Sequence, residues 1–331
     1  MTQRATIRLI ENGQATIQPW TLADLQSCTI PDGAHLWIDL VGPDREGIRL
    51  ITQRFPLHHL AVEAVFEHRR RPGVSIFDKS TYVNLQHVKR NGAEVSSVPI
   101  KVFLGSNFFI TIRPDYPLPV ERILGRWEAA PKDWQTYASS LLYALTDILV
   151  DDLSLVTDEL EEALQREDRY GSQAGRAGTP GSSVLERIYR LSDQVSDAYA
   201  IAMPLRDTMQ ALLGDGNILD EISAGTYFHD VYDHAVYVAD RLENLQDLAQ
   251  RIFDMAGALI NLRLSDVSKQ LTVVATIFLP LSFITGYFGQ NFGYMMSGVR
   301  SGSAFVIYGI GLQILTLVVI VVLLARLKIL R

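Results

Sequence analysis

The chain has 331 residues, 48% of them hydrophobic and 20% charged, with a formal net charge of -7 at pH 7 and one cysteine, Cys28. The acidic balance argues against nucleic acid as a partner, and a lone cysteine excludes a disulfide framework within the chain, which fits a cytosolic soluble part. The apolar share suffices for one soluble domain plus a membrane part.

Met1 to Gln14 is polar and alternating. It lacks the basic, apolar and small-residue regions of a cleavable leader, so the soluble part is expected to stay where it is made. Residues 1 to about 115 read as a mixed sheet with helical covers. Thr6 to Ile10 and His35 to Leu40 are strand candidates, Pro43-Asp44 opens a helix, and Phe55 to Phe66 reads as another. Val74 to Phe77, Tyr82 to Val88, Ile100 to Leu104 and Phe108 to Ile112 follow as short apolar runs split by Gly, Asn and Ser. His59, Glu63 and His68 lack the H-E-x-x-H spacing of a metal helix and read as surface or packing residues. Arg69, Arg70 and Arg71 before Pro72 read as a solvated turn.

From Trp134 the period turns helical, with Ala138, Leu141, Leu142 and Leu145 at i, i+3, i+4 and i+7 and Ile148, Leu149, Leu153 and Val156 extending the stripe. The same segment carries Asp151, Asp152, Asp158, Glu159, Glu161, Glu162, Glu167 and Asp168. These acids read as an exposed stalk face kept soluble by charge, or as a field that concentrates cations. Gly171 to Ser183 is a flexible turn by composition. A second helix is expected from Val184 to about Leu213, interrupted at Pro204 and paired antiparallel with the first. A third starts near Thr226 and meets no breaker stronger than Gly257 before Pro280. Val238, Leu242, Leu245, Ala249, Ile252, Ala256 and Leu259 give it an a/d seam, and helix from Val231 to Phe288 would be roughly 85 to 90 Å long.

Leu271 to Val299 is a charge-free run of 29 residues, and Ser301 to Ala325 is a second. Each exceeds the about 20 residues needed to span a bilayer. Arg251, Arg263 and Lys269 precede the first run, and Arg326, Lys328 and Arg331 follow the second, with only Arg300 between them. This bias predicts a hairpin with both termini cytoplasmic and the Gly289 to Gly302 loop outside. Leu271, Ala275, Leu279, Ser282 and Gly286 fall at steps of 4, 4, 3 and 4 on one helical face, with Thr272 and Thr276 beside it. Ile277, Phe278, Ile284 and Phe288 are left for lipid or the second span. Thr, Ser and Gly in a span serve either as helix-packing residues or as the lining of a wet path.

Ala275-Thr276-Ile277-Phe278-Leu279-Pro280-Leu281-Ser282-Phe283-Ile284-Thr285-Gly286, followed by Phe288-Gly289-Gln290-Asn291-Phe292, resembles the first membrane helix and signature loop of the CorA-type divalent-cation (magnesium) transporters, including ZntB-like members. Gly289-Gln290-Asn291 stands where most of that family has Gly-Met-Asn. Leu57 to Glu63, Arg69 to Pro72, Met203-Pro204-Leu205-Arg206 and Asp230-Val231-Tyr232-Asp233-His234 resemble it too.

The resemblance implies a homopentamer in which Asn291 carbonyls grip a hydrated ion at the outer mouth. Gly286 would give a backbone narrowing, Ser282 a hydroxyl ring, and Leu279 and Leu271 apolar constrictions that close by dewetting. Ser265 stands where relatives often carry another Asn. Asp230 takes the position of a cytosolic regulatory metal contact, with His234 beside it, although an acid near a helix start is also ordinary dipole compensation. No acid follows the signature, and the membrane part has neither His nor Cys to coordinate zinc tightly.

The expected fold class is an α+β/α membrane protein with a cytosolic mixed α/β domain over 1–133 and a long helical stalk over 134–270. Transmembrane helix 271–289, an outward loop 290–302, transmembrane helix 303–325 and a basic tail 326–331 complete each subunit, and the resemblance implies a homopentameric funnel. The expected function is divalent-cation transport across the inner membrane, Mg²⁺ first and Zn²⁺, Co²⁺ or Ni²⁺ as further candidates, gated by cytosolic metal. A proton-coupled ZntB-like zinc transporter and a membrane-anchored cation sensor are the alternatives. Expected partners are other copies of the chain, the lipid bilayer and divalent ions, the last as cargo and regulator with no permanent cofactor. No nucleophile-base pair or phosphate loop points to an enzyme.

Overall fold

The computed structural model describes residues 4–67, 71–92, 94–177, 182–214, 224–290 and 301–327. They divide into two compact units, Met1–Tyr170 with Ser182–Phe253, and Gly171–Gly181 with Asp254–Arg331.

The first unit is built on a seven-stranded sheet of order β2-β1-β3-β7-β6-β5-β4. Its strands are β1 (Arg4–Glu11), β2 (Gln14–Gln18), β3 (His35–Val41), β4 (Gly73–Phe77), β5 (Ser80–Asn91), β6 (Glu94–Gly105) and β7 (Phe108–Arg113). Neighbours are antiparallel except β3 and β7, which run parallel. The turn between β1 and β2 is Asn12-Gly13, with φ of 53° and 73°. Two left-handed residues match the twist of a hairpin, which is why Asn-Gly is favoured there; the sequence reading passed over this pair and so missed β2.

Side chains alternate across each strand, so the two sheet faces have different fates. Leu36, Ile38 and Leu40 of β3 and Phe108, Ile110 and Ile112 of β7 enter one core with Ile48, Ile51, Ala61 and Ala64. The last four lie on α1 (Arg45–Arg54) and α2 (His59–Phe66), which cover this face. Asp44 caps α1, its Oδ1 accepting from the Gly47 N–H at 2.8 Å. The helix expected from Phe55 begins only at His59. Phe55 precedes Pro56 and is extended, at φ -113° and ψ 141°, as residues before proline tend to be. His58 then caps α2, its Nδ1 accepting from the Leu60 N–H. At the other end of α2, the Lys101 Nζ donates to the carbonyls of Ala64, Val65 and Glu67.

The opposite face of the β3–β7 pair carries a polar chain. The Trp37 Nε1–H donates to Thr111 Oγ1 at 3.1 Å, Thr111 donates to Asp39 Oδ1 at 2.8 Å, and Arg113 pairs with Asp39 at 2.7 Å. Two short helices that the sequence reading did not separate, α3 (Val120–Glu128) and α4 (Lys132–Gln135), lead to α5 (Ser139–Ala177). His87, on this same face of β5, joins α5 through Asp152, with 2.8 Å between Nε2 and Oδ2.

Helix α5 continues as far as Ala177 through the start of the expected Gly171–Ser183 turn, because extending a formed helix past a glycine costs only about 1 kcal/mol. Helix α6 (Ser182–Leu213) passes through Pro204 without ending. Ile201, Ala202, Leu205 and Met209 are buried around the proline, and that packing outweighs one lost hydrogen bond. Helix α7 runs from Ala224 to Phe288. Val238, Leu242, Leu245, Ala249 and Ile252 of its expected seam are buried. The Gly214–Asn217 loop lies, apart from Gly214, outside the described residues.

The second unit holds the end of α7, a π-helical stretch Phe305–Gly311 and α8 (Leu312–Arg326).

Candidate functional site

Helix α7 and the stretch Val306–Arg326 each contain a segment long and apolar enough to cross a membrane. In the second unit, Val273, Ile277, Pro280, Leu281 and Ile284 of α7 are half-covered. Leu271, Ala275, Leu279, Ser282 and Gly286 are exposed on a different face, together with Ser265 further back. Leu271 and Leu279 are 69% and 71% exposed, values that leave their side chains without cover from their own chain. A Cβ added at Gly286 would meet nothing within 4 Å. The face picked out by spacing is therefore one that a single chain leaves open.

The threonines beside that face use their donors locally. Thr272 donates to the Ser268 carbonyl at 2.8 Å, Thr276 to Thr272 at 2.7 Å and Thr285 to Leu281 at 2.8 Å. Such back-bonding hides a hydroxyl proton from lipid and leaves an oxygen lone pair available. The helix closes at the signature. The Gly289 N–H donates to the Thr285 carbonyl at 3.0 Å and the Gln290 N–H to Tyr287 at 3.3 Å. A side chain at position 289 would stand 3.2 Å from the Thr285 oxygen, so glycine fits this tight end. Asn291 and the loop up to Arg300 lie outside the described residues, as do His68, Arg69, Arg70 and the tail beyond Leu327.

A second candidate lies in the first unit. His234 on α7 faces Asp151 on α5, with 3.8 Å between Nδ1 and Oδ1. Asp147, one turn back along α5, completes a set whose ligand atoms lie within 4.8 Å of one another. Two carboxylates and an imidazole suit a divalent ion, and atoms about 2.0 to 2.6 Å from a shared centre would have such separations. Arg126 on α3 now bridges both acids, at 2.6 Å to Asp147 and 2.8 Å to Asp151. Burial pushes the Asp147 carboxyl up while Arg126 pulls it down. Asp230 is exposed and is not in the ligand set; its charge acts on Asp147 and Tyr143. Below the cluster, Trp134 stacks on Tyr227 with 4.4 Å between centroids, and Tyr143 meets the Tyr227 ring edge-on.

The sequence reading had His234 and had Asp151 only as one stalk acid, and it missed Asp147 and Arg126. Asp147, Asp151 and the family-like His234 could have been paired only by knowing how α5 and α7 align. Several stalk acids are ion-paired across elements, Asp152 with Arg122 and His87, Asp158 and Glu161 with Arg241, Glu159 with Arg90, and Glu167 with Arg187, while Asp158, Glu159, Glu162 and Asp168 are exposed as a charged stalk face requires. Although burial acts upward on Asp152, hydrogen bonds from His87 and Arg122 hold its carboxyl below the usual range.

Residues 32–326 match the family model described as CorA-like Mg²⁺ transporter protein. The chain is 30% identical over 274 residues to the cobalt/magnesium transport protein CorA of Thermotoga maritima, covering 78% of this chain and 74% of that one. Its fold is similar to the complete CorA magnesium transporter of Methanocaldococcus jannaschii, with TM-score 0.76, 16% identity and 98% of both chains covered. It is also similar to the ZntB cytoplasmic domain of Vibrio parahaemolyticus, with TM-score 0.61, 12% identity, and 77% of this chain and 97% of that one covered.

Proposed function

This chain belongs to the CorA-like Mg²⁺ transporter family, and from that premise we propose that it carries divalent metal cations across a membrane through a pore made by several copies. The observation that carries this reading is the face Leu271, Ala275, Leu279, Ser282 and Gly286. It lies on an apolar helix, combines two leucines with an alanine, a serine and a glycine, and is left open by the chain itself. Two spans cannot enclose a path alone, so copies must converge, and five is the number the family resemblance implies.

Mg²⁺ is the first candidate cargo. It releases water reluctantly, so neutral oxygens such as those of Asn291 and Ser282 suit it by gripping its hydration shell. Leu271 and Leu279 would close the path by dewetting. The membrane would be the inner (plasma) membrane, with both termini cytoplasmic. Asp147, Asp151 and His234, with Asp230 adding charge, would hold a regulatory divalent ion on the cytosolic side, displacing Arg126. Binding to one state and not the other is what lets such an ion gate.

The test is uptake of Mg²⁺ and Zn²⁺ into proteoliposomes, with membrane potential and pH gradient imposed separately. Uptake that follows potential and is abolished in Asn291→Ala is the expected result. Dependence on an inward proton gradient would favour a ZntB-like mechanism instead. Absence of flux, with metal-dependent conformational change retained, would favour a membrane-anchored sensor.

A further inference from the structure

Gln313 lies near the start of α8 in a stretch that is otherwise almost wholly apolar. Hydrocarbon offers a primary amide no partner, so a glutamine in a span must find one within the protein. It finds Thr285: the Gln313 Nε2–H donates to Thr285 Oγ1 at 2.9 Å. Among the described residues this is the side-chain hydrogen bond that joins the two apolar helices.

Thr285 is a junction. Its hydroxyl accepts from Gln313 and donates to the Leu281 carbonyl, while its own carbonyl accepts from the Gly289 N–H that closes the helix. Gly286 follows it directly. Pro280 lies five residues before it and has no N–H, so the ladder loses a bond and α7 is locally weakened there. The segment from Leu281 to Gly289 is thus attached to the rest of α7 through a weak point, and Gln313 is an outside fixing for it. The π-helical stretch Phe305–Gly311 comes immediately before α8. A π turn takes one more residue than an α turn, so this stretch rotates the face that α8 then presents.

We propose that Gln313 is a positioning residue for ion selection: through Thr285 it fixes the turn beyond Pro280 that carries Gly286 and ends at Gly289. This rests on the transport reading above. Where Gly286 stands sets the width of any narrowing that converging copies make there, and the Gln313–Thr285 bond holds the turn that carries it.

The experiment compares full-length wild type, Gln313→Leu, Thr285→Val, Thr285→Ser and the Gln313→Leu/Thr285→Val double variant. Backbone hydrogen exchange over residues 281–290 is read in lipid nanodiscs, and the Mg²⁺ to Zn²⁺ uptake ratio in proteoliposomes. Hydrogen bonds between membrane helices are modest, so each apolar variant should speed exchange at Gly289 roughly threefold and shift the uptake ratio by roughly the same factor. The double variant should go no further than either single one, and Thr285→Ser, which keeps the hydroxyl, should match wild type. Unchanged exchange in Gln313→Leu, or single effects that multiply in the double variant, would overturn the clamp. Faster exchange with an unchanged ratio would overturn its role in selection. A wild-type protein that carries neither ion sinks the transport reading and that role with it, while the exchange arm still judges the clamp.

Discussion

Asp39 in the first unit and Thr285 in the second are both polar side chains on otherwise apolar elements, and they are partnered by different means. Asp39 is 3% exposed and meets a full positive charge on Arg113 plus the Thr111 hydroxyl. Thr285 meets its own helix and one neutral amide. The same division holds along each unit: the acids of α5 face arginines and a histidine, while the threonines of the apolar part of α7 turn back onto carbonyls. The surrounding medium thus decides how a polar group is satisfied. Inside the sheet's cover a buried carboxylate is met by an opposite full charge and a hydroxyl, whereas lipid favours neutral, local bonds.

That contrast can be broken most severely at Asp39. Asp39→Ala strands the half-buried Arg113 charge, and removing one member of such a pair costs about 3 to 5 kcal/mol. Urea unfolding of the first unit's signal should show the loss, and an effect below about 1 kcal/mol would mean the pair is no more than surface decoration.

His35 supplies the next test, because it is a polar group this unit leaves without either kind of partner. Both ring nitrogens are buried without hydrogen bonds, and burial lowers its pKa from 6.5 to about 4. The folded value lies below the unfolded one, so the unfolded chain takes up a proton first as pH falls. Stability is full above pH 6.5 and declines towards pH 4 by about 3 kcal/mol in all. His35→Phe should flatten the pH dependence of the unfolding midpoint in that window.

A smaller effect is expected where charge pairing competes with an ion. Arg126→Met removes the cation that bridges Asp147 and Asp151, and calorimetric titration with Mg²⁺ should show binding tightened about tenfold, close to 1.4 kcal/mol. Weaker binding would place the regulatory ion elsewhere. Smallest of all, Thr276→Val in the membrane helix removes one back-bond and should change stability in detergent by no more than about 0.6 kcal/mol.

The sheet was largely readable in the chain because its strands are apolar runs bounded by turn residues, and Pro43-Asp44 marked the start of α1. The open face of α7 was readable because helical period alone places Leu271, Ala275, Leu279, Ser282 and Gly286 together. Helix lengths were harder. Gly171 and Pro204 are breakers by local propensity, and α5 and α6 extend past them through burial and propagation that no local window contains. The Asp147–Asp151–His234 set and the Gln313–Thr285 bond were invisible for a related reason. Each joins residues far apart in the chain, and only the relative rotation of two helices brings them into reach.

The lone parallel pairing in the sheet has a kinetic consequence. Strands β4 to β7 turn back on near neighbours, but Leu36 of β3 must wait for Phe108 of β7. Closing so long a loop comes late and slowly. As the chain leaves the ribosome, the β2-β1-β3 set, with the apolar Leu36, Ile38 and Leu40 on one face of β3, stands with an unpaired edge until β7 has been made. Assembly of this sheet therefore ends at the β3–β7 seam, and the amino-terminal set of strands is the part most in need of a chaperone while it waits.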